Sequence, residues 1–370
     1  MYFKVNKKEF SDAINVVSKA VSQNSPMPIL HNIKISVKED YLKLTASDAD
    51  ISIETIIKKN EDNLETISVG DILIDGKYLG DMIRKTDSDK IEFEVLDGNL
   101  CGIRGNAVNF EVNGINAEEY PLIRFDEPEE KITLDIETFK DIIFQTCFAA
   151  SDKETKPILT GVNFNCEGTK LTCIATDSYR LAKKEVILDS EHNFNITIPA
   201  KNLSDISKIL STEGSIDIAI DDKKALFILN NILIQTRLID GLYPEVARLI
   251  PVNFDYELII ESKDILNALD RASFIKNEGI FLVRMQINEE KIMITSKSND
   301  IISQETIVPI SFYGEPLDIS FKGNYVYDAI RALNAYEVKI NFTGKMKQFT
   351  LTSTADDKVL QLVLPVKTYN

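Results

Sequence analysis

The sequence contains little of the chemistry on which metal sites and catalytic triads depend. Its 370 residues include only two histidines, His31 and His192, and four cysteines, none of which belongs to a C-x-x-C pair. Structural zinc sites usually pair their cysteines at short spacing, and a triad needs a histidine beside a nucleophile. We therefore expect no metal, no cofactor and four reduced cysteines that fill space.

Longer motifs are absent as well. The chain has no G-x-x-x-x-G-K-[ST] phosphate loop, no G-x-S-x-G nucleophile elbow and no H-E-x-x-H zinc motif. Residues 1–6 lack the basic and apolar stretches of a signal peptide, and no apolar run approaches the ~20 residues of a membrane helix. These absences predict a cytoplasmic protein that is not an enzyme and that has no membrane partner.

The charge balance is acidic, with 58 Asp and Glu residues against 42 Lys and Arg residues and a net charge of −16. Such a balance argues against DNA binding, because phosphate contacts come from Lys and Arg. The argument fails if the basic residues are confined to one surface. The length and the 44% apolar content are those of a globular protein of two to three domains.

The chain repeats itself with a period the size of a domain. Helix-like segments begin at Phe10, Phe139 and Ile265, which are 129 and 126 residues apart. The first two are followed by the same Pro-Ile-Leu tripeptide. A second helix-like segment in each copy, which begins at Leu79, Leu203 or Val326, keeps nearly the same spacing. A period of this length is far longer than a solenoid repeat and predicts tandem domains.

The predicted elements of each copy are two strand-helix-strand units, which makes an α+β domain. Apolar residues at helical spacing, such as those at positions 10, 13, 14 and 17, predict one buried stripe per helix. Runs that alternate apolar and polar residues, such as residues 91–95, predict strands with one buried face. We predict helices over residues 7–20, 77–86, 137–150, 201–210, 263–276 and 322–333.

Domain boundaries are predicted where proline and acidic residues cluster, at residues 126–130 and 250–254. The resulting domains are residues 1–127, 128–252 and 253–370. Both linkers are short, so we expect the domains to hold fixed mutual positions.

The six predicted helices carry a net positive charge, although the chain as a whole is acidic. They contain 14 basic and 9 acidic residues, whereas the rest of the chain contains 28 basic and 49 acidic residues. This segregation is typical of a protein whose helices face a polyanion and whose sheets face solvent. The alternative is that Lys and Arg are simply good residues for exposed helix surfaces.

Asp177 lies in a polar turn beside Ser178 and Tyr179, which suggests a catalytic acid. Asp50 and Asp300 occupy the corresponding place in the other two copies. A carboxylate that is repeated in register favours a structural hydrogen bond at a strand end over a single active-site acid. A hydrolase that uses Asp177 stays open as a minor alternative, and it would lose turnover in an Asp177→Ala variant.

Three segments break the symmetry of the repeat: Ala175-Thr-Asp-Ser-Tyr-Arg-Leu-Ala182, Asp240-Gly-Leu-Tyr-Pro-Glu-Val-Ala-Arg-Leu-Ile-Pro251 and Leu362-Val-Leu-Pro-Val-Lys-Thr-Tyr-Asn370. With the triplicate layout, they make the whole chain resemble the bacterial DNA polymerase III beta subunits, the sliding clamps. The resemblance implies three tandem DNA-clamp domains that form a head-to-tail dimeric ring, with helices inside and sheets outside.

A ring of this family would encircle duplex DNA without sequence specificity and confer processivity on the replicative DNA polymerase. The resemblance also implies a clamp loader, repair polymerases and other proteins with clamp-binding motifs as partners, and a second copy of the chain as the homodimer partner. These proteins would dock short peptides in a pocket between domains 2 and 3. The other open interpretation is a three-domain protein-interaction scaffold that binds peptides without topological DNA binding.

The resemblance assigns site residues one by one. The pocket would comprise Leu159, Thr176, Ser178, Tyr179, Arg180, Leu181, Pro244, Arg248, Leu249, Leu362, Leu364, Pro365 and Val366, with Met346 and Gln348 as further candidates. Its leucines would receive apolar side chains of a partner, and Arg180 and Arg248 would lie at its rim. Ser178 and Tyr179 replace residues that are often Gly and His in the family, so partner preference is expected to differ.

The DNA-facing candidates are basic residues of the helices and of one loop: Lys8, Lys19, Lys77, Arg84, Lys85, Lys153, Lys201, Lys208, Lys263, Arg271 and Arg331. Asn24 stands where the family often has a basic residue, and Lys153 in the second copy is expected to carry more of that role. The dimer contact is expected between Phe110 of one copy and Phe274 and Ile275 of the other.

Overall fold

The computed structural model describes residues 1–23 and 25–367, so that Asn24 and residues 368–370 lie outside the described residues. Contacts divide the chain into two compact units. Unit 1 comprises Met1–Ile136 and Asp205–Leu238, and unit 2 comprises Glu137–Ser204 and the chain from Ile239 onwards. No helix in the described part of the chain is long and apolar enough to cross a bilayer.

The helices lie close to their predicted ranges. They are α1 Lys7–Val17, α2 Gly76–Lys85, α3 Ile136–Thr146, α4 Ala200–Ser207, α5 Ser262–Ala272 and α6 Gly323–Leu333. Short 3-10 segments, Ser18–Ala20 and Cys147–Ala149, prolong α1 and α3 to about the predicted ends. The predicted stripe of α1 is buried as Phe10, Ala13, Ile14 and Val17. Hydrophobic burial of one face therefore determines where these helices lie.

Each helix has a strand before it and a strand after it in the chain, and further strands lie between these units. In the first half of the chain the strands are β1 Tyr2–Asn6, β2 Asn32–Val37, β3 Tyr41–Ser47, β4 Ile51–Lys58, β5 Leu64–Ser68, β6 Gly70–Asp75, β7 Lys90–Val95, β8 Leu100–Arg104, β9 Asn109–Asn113, β10 Ile115–Asn116, β11 Glu130–Asp135, β12 Gly161–Thr176 and β13 Arg180–Pro199.

The strands of the second half are β14 Ser215–Ile220, β15 Lys224–Leu229, β16 Ile232–Arg237, β17 Tyr256–Glu261, β18 Leu282–Ile287, β19 Ile292–Lys297, β20 Ile302–Ile307, β21 Ser311–Tyr313, β22 Leu317–Lys322, β23 Glu337–Phe342, β24 Phe349–Ser353 and β25 Val359–Val363. Together with the helices they form six strand-helix-strand units, two in each predicted copy.

Each unit contains two sheets. Unit 1 has a five-stranded sheet in the order β5-β1-β7-β8-β9 and a nine-stranded sheet in the order β10-β6-β2-β3-β4-β16-β15-β14-β11. Unit 2 has a seven-stranded sheet, β12-β13-β25-β24-β23-β17-β21, and a four-stranded sheet, β20-β19-β18-β22. The two large sheets continue across the predicted domain boundaries, because β16 pairs with β4 and β25 pairs with β13. The boundaries at residues 127 and 252 stay predictions.

The start of β12 leaves no room for a side chain. A Cβ atom on Gly161 would come within 2.6 Å of the Thr197 side chain and 2.7 Å of the Ile198 carbonyl oxygen. The carbonyl belongs to the paired strand β13 and cannot rotate away. We expect Gly161→Ala to lower the free energy of unfolding by about 2 kcal/mol.

The matched control for this prediction is Gly80 inside α2, where a Cβ atom would meet only the Ile14 side chain, at 3.7 Å. Gly80→Ala is expected to raise the free energy of unfolding by about 0.5 kcal/mol, because alanine is the better helix former. Urea unfolding of both variants measures the change in the free energy of unfolding, which we expect to be negative for Gly161→Ala and positive for Gly80→Ala. Equal effects would show that the crowding at Gly161 has no energetic consequence.

Candidate functional site

The turn between β12 and β13 is held by hydrogen bonds from its own residues. Asp177 Oδ1 accepts the N–H groups of Tyr179 and Arg180, at 2.8 and 3.0 Å. Thr176 Oγ1 accepts the N–H of Ser178 at 3.1 Å and donates to the Arg180 carbonyl at 2.6 Å. Ser178 takes a left-handed backbone conformation, with φ +78°. These contacts fix the turn and leave the Tyr179 side chain 56% exposed.

The Arg180 side chain is held by two carboxylates and two aromatic rings. Its Nε lies 3.2 Å from Asp177 Oδ2, and its Nη1 donates to Asp328 Oδ2 of α6 at 2.7 Å. The guanidinium also lies over two aromatic rings, 4.5 Å from the Tyr325 centroid and 5.3 Å from that of Phe148. Only 14% of the side chain is exposed. Both carboxylates and both rings hold Arg180 in place, and its expected role as a rim donor for partner groups stays a prediction.

The prediction that Asp50 corresponds to Asp177 is wrong by two residues. Asp48 Oδ1 accepts the N–H groups of Asp50 and Ile51, at 3.0 and 2.9 Å, as Asp177 does for Tyr179 and Arg180. Asp50 therefore stands at the place of Tyr179. In the third copy, it is the hydroxyl of Ser298 that accepts the N–H of Asp300, at 3.4 Å. The carboxylate of Asp177 serves turn geometry and the Arg180 pair, which argues against a catalytic acid.

An apolar cavity of about 670 Å³ adjoins this turn, within unit 2. It contains ten of the thirteen residues assigned to the pocket and the further candidate Gln348: Leu159, Thr176, Ser178, Tyr179, Arg180, Leu181, Pro244, Leu249, Leu362, Leu364 and Gln348. Leu181 and Leu362 are buried in its floor, with Ile174 and Val246 packed against them. Gln348 Nε2 donates to the Leu249 carbonyl at 3.3 Å, which joins two parts of the wall.

Three assigned residues and the further candidate Met346 lie outside this cavity. Arg248 is paired with Glu245 at 2.8 Å, has 82% of its side chain exposed and lines a separate polar groove of about 420 Å³. Met346 is 56% exposed and contributes no wall. Pro365 and Val366 follow Leu364, the last residue of the cavity wall. The Val366 N–H donates to the Ser320 carbonyl at 2.7 Å, so the chain continues outside the wall.

Four wall residues were missed by sequence reasoning: Lys156, Ile158, Leu242 and Val246. Ile158 is the middle residue of the repeated Pro-Ile-Leu tripeptide, and Leu242 and Val246 belong to the segment after Asp240 that distinguishes the second copy. Sequence analysis had already singled out both segments, but not these residues within them. Leu242 is 95% exposed, and an exposed leucine beside an apolar cavity extends the surface that a partner can bury.

The same turn in unit 1 has a polar floor in place of the leucines. In unit 2, Leu181 of β13 pairs with Leu362 of β25. The turn geometry places Ser52 where unit 2 has Leu181, and Ser52 pairs with Gln235 of β16. The Ser52 hydroxyl is further engaged by that of Ser47 at 2.8 Å.

The third leucine is replaced in the same way. The Leu364 N–H donates to the Tyr179 carbonyl at 2.9 Å, and the equivalent bond in unit 1 joins the Arg237 N–H to the Asp50 carbonyl at 3.0 Å. Arg237 thus stands at the position of Leu364. At these three positions the turn after β12 therefore has apolar side chains, whereas its counterpart after β3 has polar ones.

Comparison with known proteins covers the whole chain. The N-terminal, central and C-terminal domain models of the DNA polymerase III beta subunit match residues 1–124, 133–245 and 247–367. The chain belongs to the DNA polymerase III beta-subunit family. A beta sliding clamp of Bacillus subtilis is 38% identical over all of both chains, and one of Staphylococcus aureus is 34% identical over the same extent.

Solved structures agree with this assignment. The crystal structure of the DNA polymerase sliding clamp from Bacillus subtilis matches with a TM-score of 0.94 and 37% identity, over 100% of each chain. The DNA polymerase III beta chain from Streptococcus pneumoniae matches with a TM-score of 0.93 and 30% identity, over 99% of this chain and 100% of that one. The beta-subunit function is that of a DNA sliding clamp, a processivity subunit without catalysis of its own.

The eleven DNA-facing candidates are all exposed. Three of them form ion pairs: Arg84 with Asp81, Lys208 with Asp205 and Arg271 with Glu305. The other eight have no ion pair with any described residue, although the Arg331 guanidinium lies 6.0 Å from the Phe144 ring centroid. Most of the set therefore has charge available for an external anion.

The three dimer candidates differ in accessibility. Phe110 is half-buried on β9, the edge strand of the five-stranded sheet, and Phe274 after α5 is 68% exposed. Ile275 is only 2% exposed in the single chain and leaves almost no surface for a contact with a second copy. Its assignment to a partner contact is corrected on that ground, and Phe110 and Phe274 stay predictions.

None of the four cysteines forms a disulfide in the described structure, and Cys101, Cys166 and Cys173 are buried. Burial raises the pKa of the Cys101 thiol to about 11 and also raises the pKa of Cys173. Protonated, inaccessible thiols are poor nucleophiles and poor metal ligands. No group of three or more potential metal ligands occurs among the residues the structure describes.

Proposed function

We propose that this beta subunit acts in the cytoplasm as a homodimeric ring around duplex DNA and holds partners through the cavity beside the Asp177 turn. The partners are the replicative polymerase, the clamp loader, and repair polymerases and other proteins that carry a clamp-binding motif. The observation that carries the proposal is the leucine-lined cavity of about 670 Å³ beside the Asp177 turn.

The chemistry of the cavity suits a short peptide with apolar anchors. Leu159, Leu181 and Leu362 are buried in its walls, while Leu242 and Leu249 are exposed at its edge. A partner leucine or phenylalanine that enters would remove apolar surface from water on both sides. Backbone groups of the peptide would stay close to the polar side of the turn. An apolar groove with a few polar groups at its edge is typical of peptide recognition by anchor residues.

The basic helix residues supply the proposed DNA contacts. Lys8, Lys77 and Lys263 are examples that are exposed and have no ion pair among the described residues. Contacts to phosphate oxygens carry no base information, so this surface would hold DNA without sequence preference. Ring closure is proposed to use Phe110 of one copy and Phe274 of the other, in a head-to-tail contact that closes on itself.

The test is retention on circular DNA. The protein is loaded onto a nicked plasmid circle by a clamp loader with ATP, separated from free protein by gel filtration, and the circle is then cut. We expect co-elution with the circle and loss after linearisation, because a closed ring can leave only over an end. The Phe110→Asp variant is expected to sediment as a 41.7 kDa monomer and to show no retention.

Peptide binding without retention on the circle would favour the protein-interaction scaffold over the ring. Retention that survives linearisation would indicate ordinary electrostatic binding, and it would contradict the topological part of the proposal. A Phe274→Asp variant should reproduce the effect of Phe110→Asp if the two residues form the same contact.

A further inference from the structure

We propose that Lys322 binds a carboxylate group of the docked peptide, so that the site selects for negative charge as well as for apolar anchors. The inference rests on the proposed docking of peptides in the cavity. The Lys322 Nζ lies 5.1 Å from the ring centroid of Tyr179 and 4.9 Å from that of Tyr325. It is 3.4 Å from the Tyr325 hydroxyl. Two tyrosine rings therefore hold this ammonium in place.

Its position brings the ammonium close to the cavity. Tyr179 lines the cavity, and the Tyr179 carbonyl accepts the N–H of Leu364, another wall residue, at 2.9 Å. The Lys322 ammonium thus lies beside a residue that forms the cavity wall. A peptide that seats its apolar side chains against Tyr179 and Leu364 would bring a nearby carboxylate within reach of the flexible lysine stem.

The charge of Lys322 is not compensated by the protein. No carboxylate lies within ion-pair distance of its Nζ in the described part of the chain, whereas the neighbouring Arg180 pairs with Asp177 and Asp328. The ammonium has three donors, and its one hydrogen bond is to the Tyr325 hydroxyl. A half-buried ammonium that is held by rings but lacks an anion is suited to take one from a ligand.

The carboxylate can come from two sources, a chain terminus or an Asp or Glu side chain. Both present the same oxygen pair to an ammonium, which acts as a compact charge rather than as a fork. Lys156, unlike Lys322, lines the cavity itself, and it is exposed. It is the competing candidate for the same contact and provides the matched control.

The experiment measures fluorescence anisotropy with three labelled peptides that share a Gln-Leu-x-Leu-Phe core, the type of clamp-binding peptide that the family resemblance implies. One ends in a free carboxylate, one in an amide, and one in an amide after an added glutamate. Because the site is partly exposed, we expect the wild type to bind a carboxylate form about fivefold more tightly than the plain amide. The form that gains identifies the source of the carboxylate.

The variants assign the effect to one residue. Lys322→Met keeps the apolar stem and should bind all three peptides with the affinity of the plain amide. Lys322→Arg should keep the preference, and Lys156→Met should keep it too. The preference should also shrink as salt is raised, since an exposed pair is screened.

Three results would overturn the inference. They are equal affinity of the wild type for all three peptides, a preference that persists in Lys322→Met, and a preference that is lost in Lys156→Met. In each of these cases the plain amide still binds, so the docking function stands. If no peptide binds the wild type, peptide docking itself is wrong and the inference is overturned with it.

Discussion

A Leu364→Ala variant is expected to bind a Gln-Leu-x-Leu-Phe peptide at least tenfold more weakly than the wild type. Leu364 is a half-buried wall residue of the cavity, and its side chain packs on the cluster of Ile174, Leu181 and Leu362. Burying one leucine side chain is worth about 1.5–3 kcal/mol, and 1.4 kcal/mol corresponds to a factor of ten in affinity. Truncation removes most of that contact from the bound state.

The position of Leu364 makes the result interpretable. It follows the last residue of β25 and is partly exposed, so its loss leaves a smaller cavity than the loss of the buried Leu181 would. Ile187→Ala is the matched control, because Ile187 is a 62% exposed apolar residue of β13 that lies outside the cavity. Anisotropy titrations of the three proteins give the affinities. Equal loss in both variants, or no loss in Leu364→Ala, would place peptide binding elsewhere.

Helix positions could be predicted from the sequence, since they depend on one local signal. The apolar residues Phe10, Ala13, Ile14 and Val17 recur at helical spacing. This spacing predicts a helix with one buried face without any knowledge of which element packs against it. The repeat reinforced each prediction with a second and third example. The pairing of β16 with β4 and of β25 with β13 could not be predicted from the sequence. The alternation of apolar and polar residues specifies which face of a strand is buried but not which strand lies beside it.

The cavity could be predicted in part, through the segments that break the repeat. Leu181, Leu249 and Leu364 were found in this way, and Leu242 and Val246 belong to one of the same segments. Arg248 shows the limit of the approach. Its neighbours line the cavity, but the 3-10 turn Val246–Leu249 directs its side chain to Glu245 and the polar groove, and no periodicity in the sequence reports that direction.

The turn register was misread for a related reason. Asp48 and Asp50 are both candidates for the place of Asp177, and the spacing of the repeat does not separate them. Only the hydrogen bonds do, because the carboxylate of Asp48 accepts the N–H groups two and three residues later. Ala49 and Ser178 confirm the alignment, since both take a left-handed conformation, with φ of +82° and +78°.

Arg180→Leu is expected to lower the free energy of unfolding by about 3 kcal/mol and to weaken peptide binding as well. The substitution leaves the carboxylates of Asp177 and Asp328 without their cation, and removing one partner of a largely buried pair costs more than the pair itself is worth. The Asp177 side chain is only 13% exposed, and its other oxygen holds the turn that carries Tyr179. Loss of Arg180 therefore affects both stability and the cavity wall.

A second substitution separates the effect of the unpaired carboxylates on stability from the effect of lost side-chain packing. Asp328→Leu in the Arg180→Leu background removes the more exposed of the two unpaired carboxylates and is expected to restore part of the lost stability, because Asp177 stays unpaired. Arg284→Leu is the surface control. Its partner Asp318 accepts from Arg284 Nε at 2.9 Å, but the Arg284 side chain is 43% exposed. The expected cost there is below about 1 kcal/mol.

Urea unfolding and peptide anisotropy on the same proteins distinguish positioning from direct contact. If Arg180 positions the turn, Arg180→Lys should recover part of the stability and part of the affinity together, because a lysine can pair with one carboxylate but cannot stack between Tyr325 and Phe148 as a planar fork does. A variant that loses affinity at unchanged stability would show that Arg180 contacts the peptide directly, and that the cage of carboxylates and rings opens when the partner binds.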